Sequence, residues 1–141
     1  MKKIAWILAL VVILAGCGIR TDDDGIIRIG ERFFVQQVFD ILLNTQDYLG
    51  RTIQYEGIFR IVQWRAEGDD HIVIRYTMGC CGEEPVGFFI LLSDNLYPFP
   101  SDQAWVNVTG VLEIYEGSLM LRAISLVEME ERGSALVDFA W

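Results

Sequence analysis

A chain of 141 residues has the length of a single domain, and its 20 acidic and 11 basic side chains give it a formal charge of −9. This acidic balance disfavours nucleic acid and anionic lipid as partners, because both repel a negatively charged surface. The three cysteines are too few for a disulfide framework.

The N-terminus has the layout of an export signal. Lys2 and Lys3 precede an uncharged apolar run over 4–14, which is too short to span a bilayer comfortably. The run closes on Leu-Ala-Gly-Cys at 14–17, which resembles the lipobox of bacterial lipoproteins. That resemblance implies cleavage before Cys17 and a diacylglycerol on its sulfur; the alternative is an ordinary signal anchor that contains a cysteine.

These features divide the chain into three parts. We predict a lipoprotein signal peptide over 1–16, a lipidated tether over 17–30 and a folded domain over 31–141. Removal of the signal peptide takes away both lysines and leaves nine arginines against 20 acidic residues, a formal charge of −11. The expected location is the bacterial cell envelope, on the extracytoplasmic face of the membrane that holds the lipid anchor.

The folded domain is predicted to begin with one helix over 31–43. Apolar residues recur there at helical spacing and share one face: Phe34, Val38, Ile41 and Leu42. A polar stretch and Gly50 end the helix before the first strand.

Five segments that follow alternate apolar and polar residues as half-buried strands do: 52–62, 71–78, 86–92, 105–115 and 118–127. On the second of them the alternation predicts an inward face of Ile72, Ile74, Tyr76 and Met78. A loop over 79–85 is predicted to join the second strand to the third. Five strands and one helix predict a mainly β fold, a small OB-like barrel with an N-terminal α-helix. The alternative is an open meander of α+β type.

The candidate chemistry lies between the second and third strands. Cys80 and Cys81 are adjacent, so their α-carbons are about 3.8 Å apart, below the disulfide span that begins at about 4.4 Å. Two thiols can ligate zinc, with Glu83, Glu84 and His71 as complementary ligands. The alternative is that both cysteines are small residues buried at a tight corner.

The residues around the cysteines suggest a loop that faces a ligand or partner. Gly79 and Gly82 flank the pair and allow backbone conformations that other residues avoid. Pro85 fixes the exit from the loop, and Arg75 precedes it. Thiol redox chemistry would require a lowered thiolate pKa, which the two neighbouring glutamates oppose.

Residues 75–87, Arg-Tyr-Thr-Met-Gly-Cys-Cys-Gly-Glu-Glu-Pro-Val-Gly, resemble the extracytoplasmic OB-like domain of YcgQ-type bacterial proteins, a family of unknown function. The likeness extends to 47–53, 57–59 and 105–110. Members are usually encoded beside a predicted permease, and some occur in zinc-responsive gene neighbourhoods. The resemblance therefore implies a transport-associated role, with a permease or another envelope protein as partner and zinc as the candidate cofactor.

Two functions remain open. One is a non-enzymatic interaction module of an envelope or transport assembly, tethered to the membrane by its lipid. The other is a site protein that binds zinc, or works through thiols, at Cys80 and Cys81. No catalysis is expected, because His71 has no nucleophile in a recognised motif and there is no glycine-rich phosphate loop.

Overall fold

The structure is a computed structural model that describes residues 23–65 and 68–139. The predicted signal peptide over 1–16 and the predicted lipidation site at Cys17 lie outside the described residues. Within the described ranges, no helix is both long and apolar enough to cross a membrane.

The predicted helix is present as α1, Phe34–Leu43, which follows a 3-10 turn at Glu31–Phe33. A short second helix, α2, covers Thr45–Tyr48. The buried face of α1 consists of four fully buried residues, Phe34, Val35, Val38 and Ile41. Leu42, which was predicted on this face, lies in the last turn and is 44% exposed.

Among the residues that the structure describes, six strands form one sheet: β1 Ile26–Arg28, β2 Thr52–Val62, β3 Asp70–Gly79, β4 Gly82–Leu91, β5 Trp105–Tyr115 and β6 Ser118–Glu128. A second 3-10 turn, Asp94–Leu96, lies between β4 and β5. The prediction of a mainly β fold with one helix near the N-terminus is confirmed. The number of strands differs from the prediction, because β1 lies in the segment assigned to the tether. Ile27 and Ile29 are buried, so the folded part of the chain begins before Glu31.

The strands pair in a continuous order. β2 is antiparallel to β5 through Thr52–Ile58 and antiparallel to β3 through Ile58–Val62. β3 is antiparallel to β4, β4 is parallel to β6, and β6 is antiparallel to β5. The pairings therefore run from β2 through β3, β4, β6 and β5 back to β2. The inner face of these strands and the buried face of α1 enclose the hydrophobic core.

The predicted inward face of β3 is wrong. Val73, Arg75 and Thr77 are buried, whereas of the predicted set only Ile74 is buried, Met78 is 58% exposed, and Ile72 and Tyr76 are half-buried. Successive side chains of a strand point to opposite faces, so the predicted set does share one face, but it is the outer one. The prediction failed because β3 is apolar on both faces and its inner face carries a charged residue.

The predicted loop over 79–85 is much shorter in the structure. β3 and β4 form a hairpin in which Gly79 pairs with Gly82, so that only Cys80 and Cys81 lie in the turn. Pro85 lies inside β4, opposite Tyr76, and Arg75 lies inside β3. The φ of Gly82 is +126°, a value that other residues rarely adopt, which explains why glycine follows the turn.

A C-terminal segment completes the fold beside β3. The Tyr76 N–H donates to the Ala135 carbonyl, and the Val137 N–H donates to the Tyr76 carbonyl. Val137 is buried, and the ring of Phe139 stacks on that of Phe39 from α1, with 5.9 Å between centroids. The segment therefore occupies the edge of β3 that β2 leaves at Ile58.

Candidate functional site

The outer face of β2, β3 and β4 carries an apolar groove of about 270 Å³, which we call the outer groove. Its lining residues share one property, that none has a titratable side chain: Val62, Trp64, Ile72, Ile74, Pro85, Gly87, Phe88 and Phe89. Cross-strand neighbours build it, since Ile72 pairs with Phe89 and Ile74 with Gly87.

Trp64 forms one wall of the outer groove. Its side chain is 78% exposed, and its ring lies 6.1 Å from that of Phe89. An indole exposed beside a continuous apolar surface is costly in water, and such patches mark binding sites in soluble domains. The outer groove is therefore a candidate binding surface.

Gly87 shapes the floor of the groove. A side chain there would overlap the carbonyl oxygen of Val73, so the close approach of β3 and β4 requires glycine. On the outer face of β4, Gly87 lies between Pro85 and Phe89, and Ile74 lies directly across from it in β3.

Arg75 has a different role from the predicted one of facing a partner. Its side chain is 3% exposed, and the guanidinium lies 5.2 Å from the ring centre of Phe34 and 4.9 Å from that of Trp105. Its Nε donates to the Glu56 carbonyl at 2.8 Å. A guanidinium that packs between two aromatic rings and hydrogen-bonds to the backbone stabilises the fold and is not available to a partner.

The same guanidinium joins two distant segments of the chain. One of its terminal nitrogens donates to the Glu31 carboxylate at 2.9 Å and to the Ser134 carbonyl at 3.1 Å. Glu31 also accepts the Ser134 N–H at 2.9 Å. The Ser134 N–H and the Arg75 guanidinium together lower the pKa of Glu31. A cavity of about 270 Å³ with a polar lining lies beside this cluster, and it includes Asn107 and Gln54.

The two cysteines occupy the exposed tip of the β3–β4 hairpin. Both are free thiols, and their Sγ atoms are 3.5 Å apart. The alternative that they are buried at a tight corner is wrong, because both residues are exposed. The tip thus presents two adjacent thiols to solvent.

The structure does not gather the other proposed metal ligands around these thiols. His71 lies at the opposite end of β3, nine residues or about 30 Å along the strand from Cys80. Glu83 and Glu84 are close in sequence and exposed, and the Glu84 carboxylate occupies the space that a side chain at Gly79 would need. Among the described residues, no three histidine, cysteine or acidic side chains come together as a metal site.

His71 has an aromatic environment. Its ring stacks on Phe59 with 5.5 Å between centroids and lies 6.1 Å from Phe99. Partial burial lowers the pKa of His71, although the charges of Asp69 and Asp70 act in the opposite direction. The neutral imidazole is thus part of the packing at this end of the sheet.

Comparison with known protein families identifies residues 19–135 as a DUF1980 C-terminal domain. The chain belongs to this family. The match includes β1, the helices, all of the remaining strands and the segment up to Ala135. A DUF1980 C-terminal domain agrees with the resemblance to YcgQ-type proteins at the level of the domain family. No curated protein and no solved structure matches the chain.

The residues that build the outer groove of this DUF1980 C-terminal domain were not predicted from the sequence. Ile72 and Ile74 were predicted on the inward face of β3, and Trp64 was not singled out. One signal was available: residues 72–76 are apolar or aromatic at every position except Arg75. A strand that is apolar on both faces in a small domain has more apolar surface than one core requires.

Proposed function

We propose that this domain is a non-enzymatic interaction module of the bacterial cell envelope that binds a partner protein through the outer groove. A lipid on Cys17 would hold it at the extracytoplasmic face of the membrane. The observation that carries the proposal is the apolar groove, with Trp64 78% exposed at its wall. A permease or another component of a transport assembly is the proposed partner, as the resemblance to YcgQ-type proteins implies.

We further propose that the sheet is a five-stranded OB-type barrel with β1 added at one edge. The order β2-β3-β4-β6-β5, returning to β2, supports this topology. The register of the pairings supports it as well. Starting at Ile61 of β2, successive partners around the sheet are His71, Ile90 and Leu121. Leu121 pairs with Leu112 of β5, and the Leu112 N–H donates to the Arg51 carbonyl just before β2. One circuit of the sheet therefore returns to the chain ten residues before Ile61, and closed sheets require such a stagger.

The position of the groove fits this fold. OB-type barrels bind ligands on the face of their second and third strands, which correspond here to β3 and β4. The charge of the domain favours protein over nucleic acid as the ligand, because 20 acidic side chains outnumber the basic ones and repel phosphates. The groove supplies apolar contact area without titratable groups, so binding and not catalysis is the proposed role.

Site-specific photo-crosslinking in intact cells tests the proposal. A photoreactive phenylalanine analogue is placed at Trp64, and a second chain carries it at Tyr97, which is 76% exposed and outside the groove lining. We expect one defined envelope-protein adduct from position 64 and none from position 97. Ile72→Arg, which puts a charge in the groove, should abolish the adduct. Equal adducts at both positions, or none at either, would contradict the proposal.

A second candidate function is supported by the two exposed thiols. With Zn–S bonds of about 2.3 Å, the 3.5 Å separation of the Sγ atoms corresponds to an S–Zn–S angle of about 100°, close to tetrahedral. Cys80 and Cys81 could therefore supply two ligands of a zinc site, and other molecules would supply the rest. Zinc itself would contribute no reaction step here, only cross-linking.

Cadmium titration separates this candidate from the first. Thiolate coordination gives an ultraviolet charge-transfer band, which we expect to saturate at one metal ion per bound thiol pair and to be absent in Cys80→Ser/Cys81→Ser. The crosslink from position 64 should persist in that double variant. If the crosslink disappears together with the thiols, the cysteines and not the groove recognise the partner.

A further inference from the structure

β4 has an edge next to the outer groove that is only partly paired with another strand. It pairs with β3 along Gly82–Ile90, but on its other side it pairs with β6 only through Phe89–Leu91. In the part of the chain that the structure describes, no strand therefore pairs with Gly82–Phe88 on that side. Glu83, Glu84 and Pro85 are exposed, and Gly87 is half-buried.

The backbone directions along this edge follow from the bonds of Tyr76. Its N–H and carbonyl both bond to the C-terminal segment, so they point away from β4. Pro85, its partner in β4, correspondingly points its carbonyl away from β3. Because backbone directions in a strand repeat every two residues, Glu83 and Gly87 point both their N–H and their carbonyl groups away from β3. The edge thus offers the N–H groups of Glu83 and Gly87 as donors and the carbonyls of Glu83, Pro85 and Gly87 as acceptors.

The groove and the edge meet at Gly87. Side chains of directly opposite residues on paired strands lie next to each other on the same face. A strand added to β4 would place the side chain opposite Gly87 on the outer face. Gly87 has no side chain to block it, so that side chain would enter the outer groove between Pro85 and Phe89.

The negative charge of Glu83 and Glu84 at the edge of β4 favours a partner with a basic side chain. Glu83 and Glu84 are exposed and have no hydrogen-bond or ion-pair partner among the described residues. The alternation that points Gly87 and Pro85 outward also puts Glu83 on the outer face. A basic side chain opposite Glu83 would be attracted, whereas a second copy of this chain carries the same net charge of −9 and is repelled.

We propose that the outer groove binds an extended segment of a partner protein, which adds to β4 as an antiparallel strand. The segment carries a large apolar residue opposite Gly87 and a basic residue four positions later, opposite Glu83. Main-chain bonds to β4 supply affinity and the groove supplies specificity, as in other cases of strand addition. This inference depends on the proposed function, because it describes how the same groove recognises its partner.

A short synthetic peptide tests the inference on the full-length protein in detergent. The probe is acetyl-Thr-Phe-Thr-Val-Thr-Arg-Thr-amide, in which Phe, Val and Arg would lie opposite Gly87, Pro85 and Glu83. We expect saturable binding by fluorescence anisotropy, and slower hydrogen exchange at the amides of Glu83 and Gly87. Trp64→Ala should weaken binding, whereas Tyr97→Ala, at an equally exposed aromatic residue, should not.

N-methylated peptides give the decisive comparison. Methylation of the Val nitrogen removes the donor to the Pro85 carbonyl and should weaken binding about fivefold, the effect of one hydrogen bond. Methylation of the nitrogen of the Thr between Phe and Val, which points away from β4, should change affinity by less than about twofold. Equal effects of the two methylations, unchanged amide exchange, or no saturable binding would each overturn strand addition.

The outcomes separate this inference from the proposed function. If crosslinking at position 64 succeeds but the peptide results fail, the groove binds a partner without strand addition. If the peptide binds as expected while no crosslink forms in cells, strand addition holds and the envelope role is wrong. Self-association that Glu83→Lys strengthens and the peptide does not block would assign the edge to a second copy, and would overturn the inference.

Discussion

Replacement of Arg75 by alanine should destabilise the domain more than any other single arginine substitution in the sheet. The change removes three hydrogen bonds from a charged donor, to Glu56, Glu31 and Ser134, and two ring contacts. Hydrogen bonds of charged groups contribute about 1.5–3 kcal/mol each, and breaking a buried ion pair costs about 3–5 kcal/mol.

These contributions do not add fully. The Glu31 side chain is 52% exposed, so water replaces much of what it loses with the guanidinium. The lasting cost comes from the backbone carbonyls of Glu56 and Ser134, which lose their donor in a part-buried environment. We therefore expect a loss of about 3–5 kcal/mol in the free energy of unfolding, and a smaller loss for Arg75→Lys, which keeps the charge without the planar fork.

Urea denaturation followed by circular dichroism measures the effect. The control is Arg122→Ala, which removes an equally well-formed pair with Glu113 from an exposed position. That loss should stay below about 1 kcal/mol, as for other surface pairs. If Arg75→Ala and Arg122→Ala cost the same, the buried guanidinium contributes no more than a surface ion pair and the reasoning is refuted.

Three further predictions concern pH, processing and ligand class. Because burial lowers the pKa of His71, stability should be fully present above the unfolded value of 6.5 and should decrease as the pH falls through it. In the wild type, the urea midpoint should decrease from neutral to mildly acidic pH, and His71→Phe should reduce this decrease. An unchanged decrease in His71→Phe would mean that other groups cause the pH dependence. Intact-mass analysis of membrane-extracted protein should show a lipidated Cys17 as the first residue, and a retained Met1 would disprove this. Single-stranded DNA should not bind at low salt, where electrostatic attraction is strongest, and micromolar binding by anisotropy would contradict the charge argument.

The strand pattern could be predicted wherever one face of a strand is apolar and the other polar. The boundaries of β2 and β5 agree with the prediction, since their alternation is regular and turn residues flank them. β1 was missed because three residues are too few for a period to show. The inner face of β3 was missed because its central residue is Arg75, whose partners at Glu31 and Ser134 are 44 and 59 residues away in the chain.

The candidate site was predictable only in part. The adjacent cysteines and their flanking glycines were recognisable locally, because a two-residue turn depends on neighbours in sequence. The outer groove was not, because it depends on the register that places Ile74 beside Gly87 and on the exposure of Trp64. His71 was proposed as a ligand beside the cysteines on grounds of residue type, although it lies at the far end of β3, nine residues before Cys80.

The contact of Ser134 with Glu31 has a consequence for the order in which the domain folds. These residues are 103 positions apart, and the pairing of β2 with β5 also joins distant parts of the chain. Contacts of such sequence separation form slowly, since the entropy of closing the loop is lost before the contact is made. A chain that emerges from its N-terminus can form α1 and the β3–β4 hairpin early, but the guanidinium of Arg75 lacks its last partner until Ser134 is available. The domain should therefore stay open during synthesis and close in one late step.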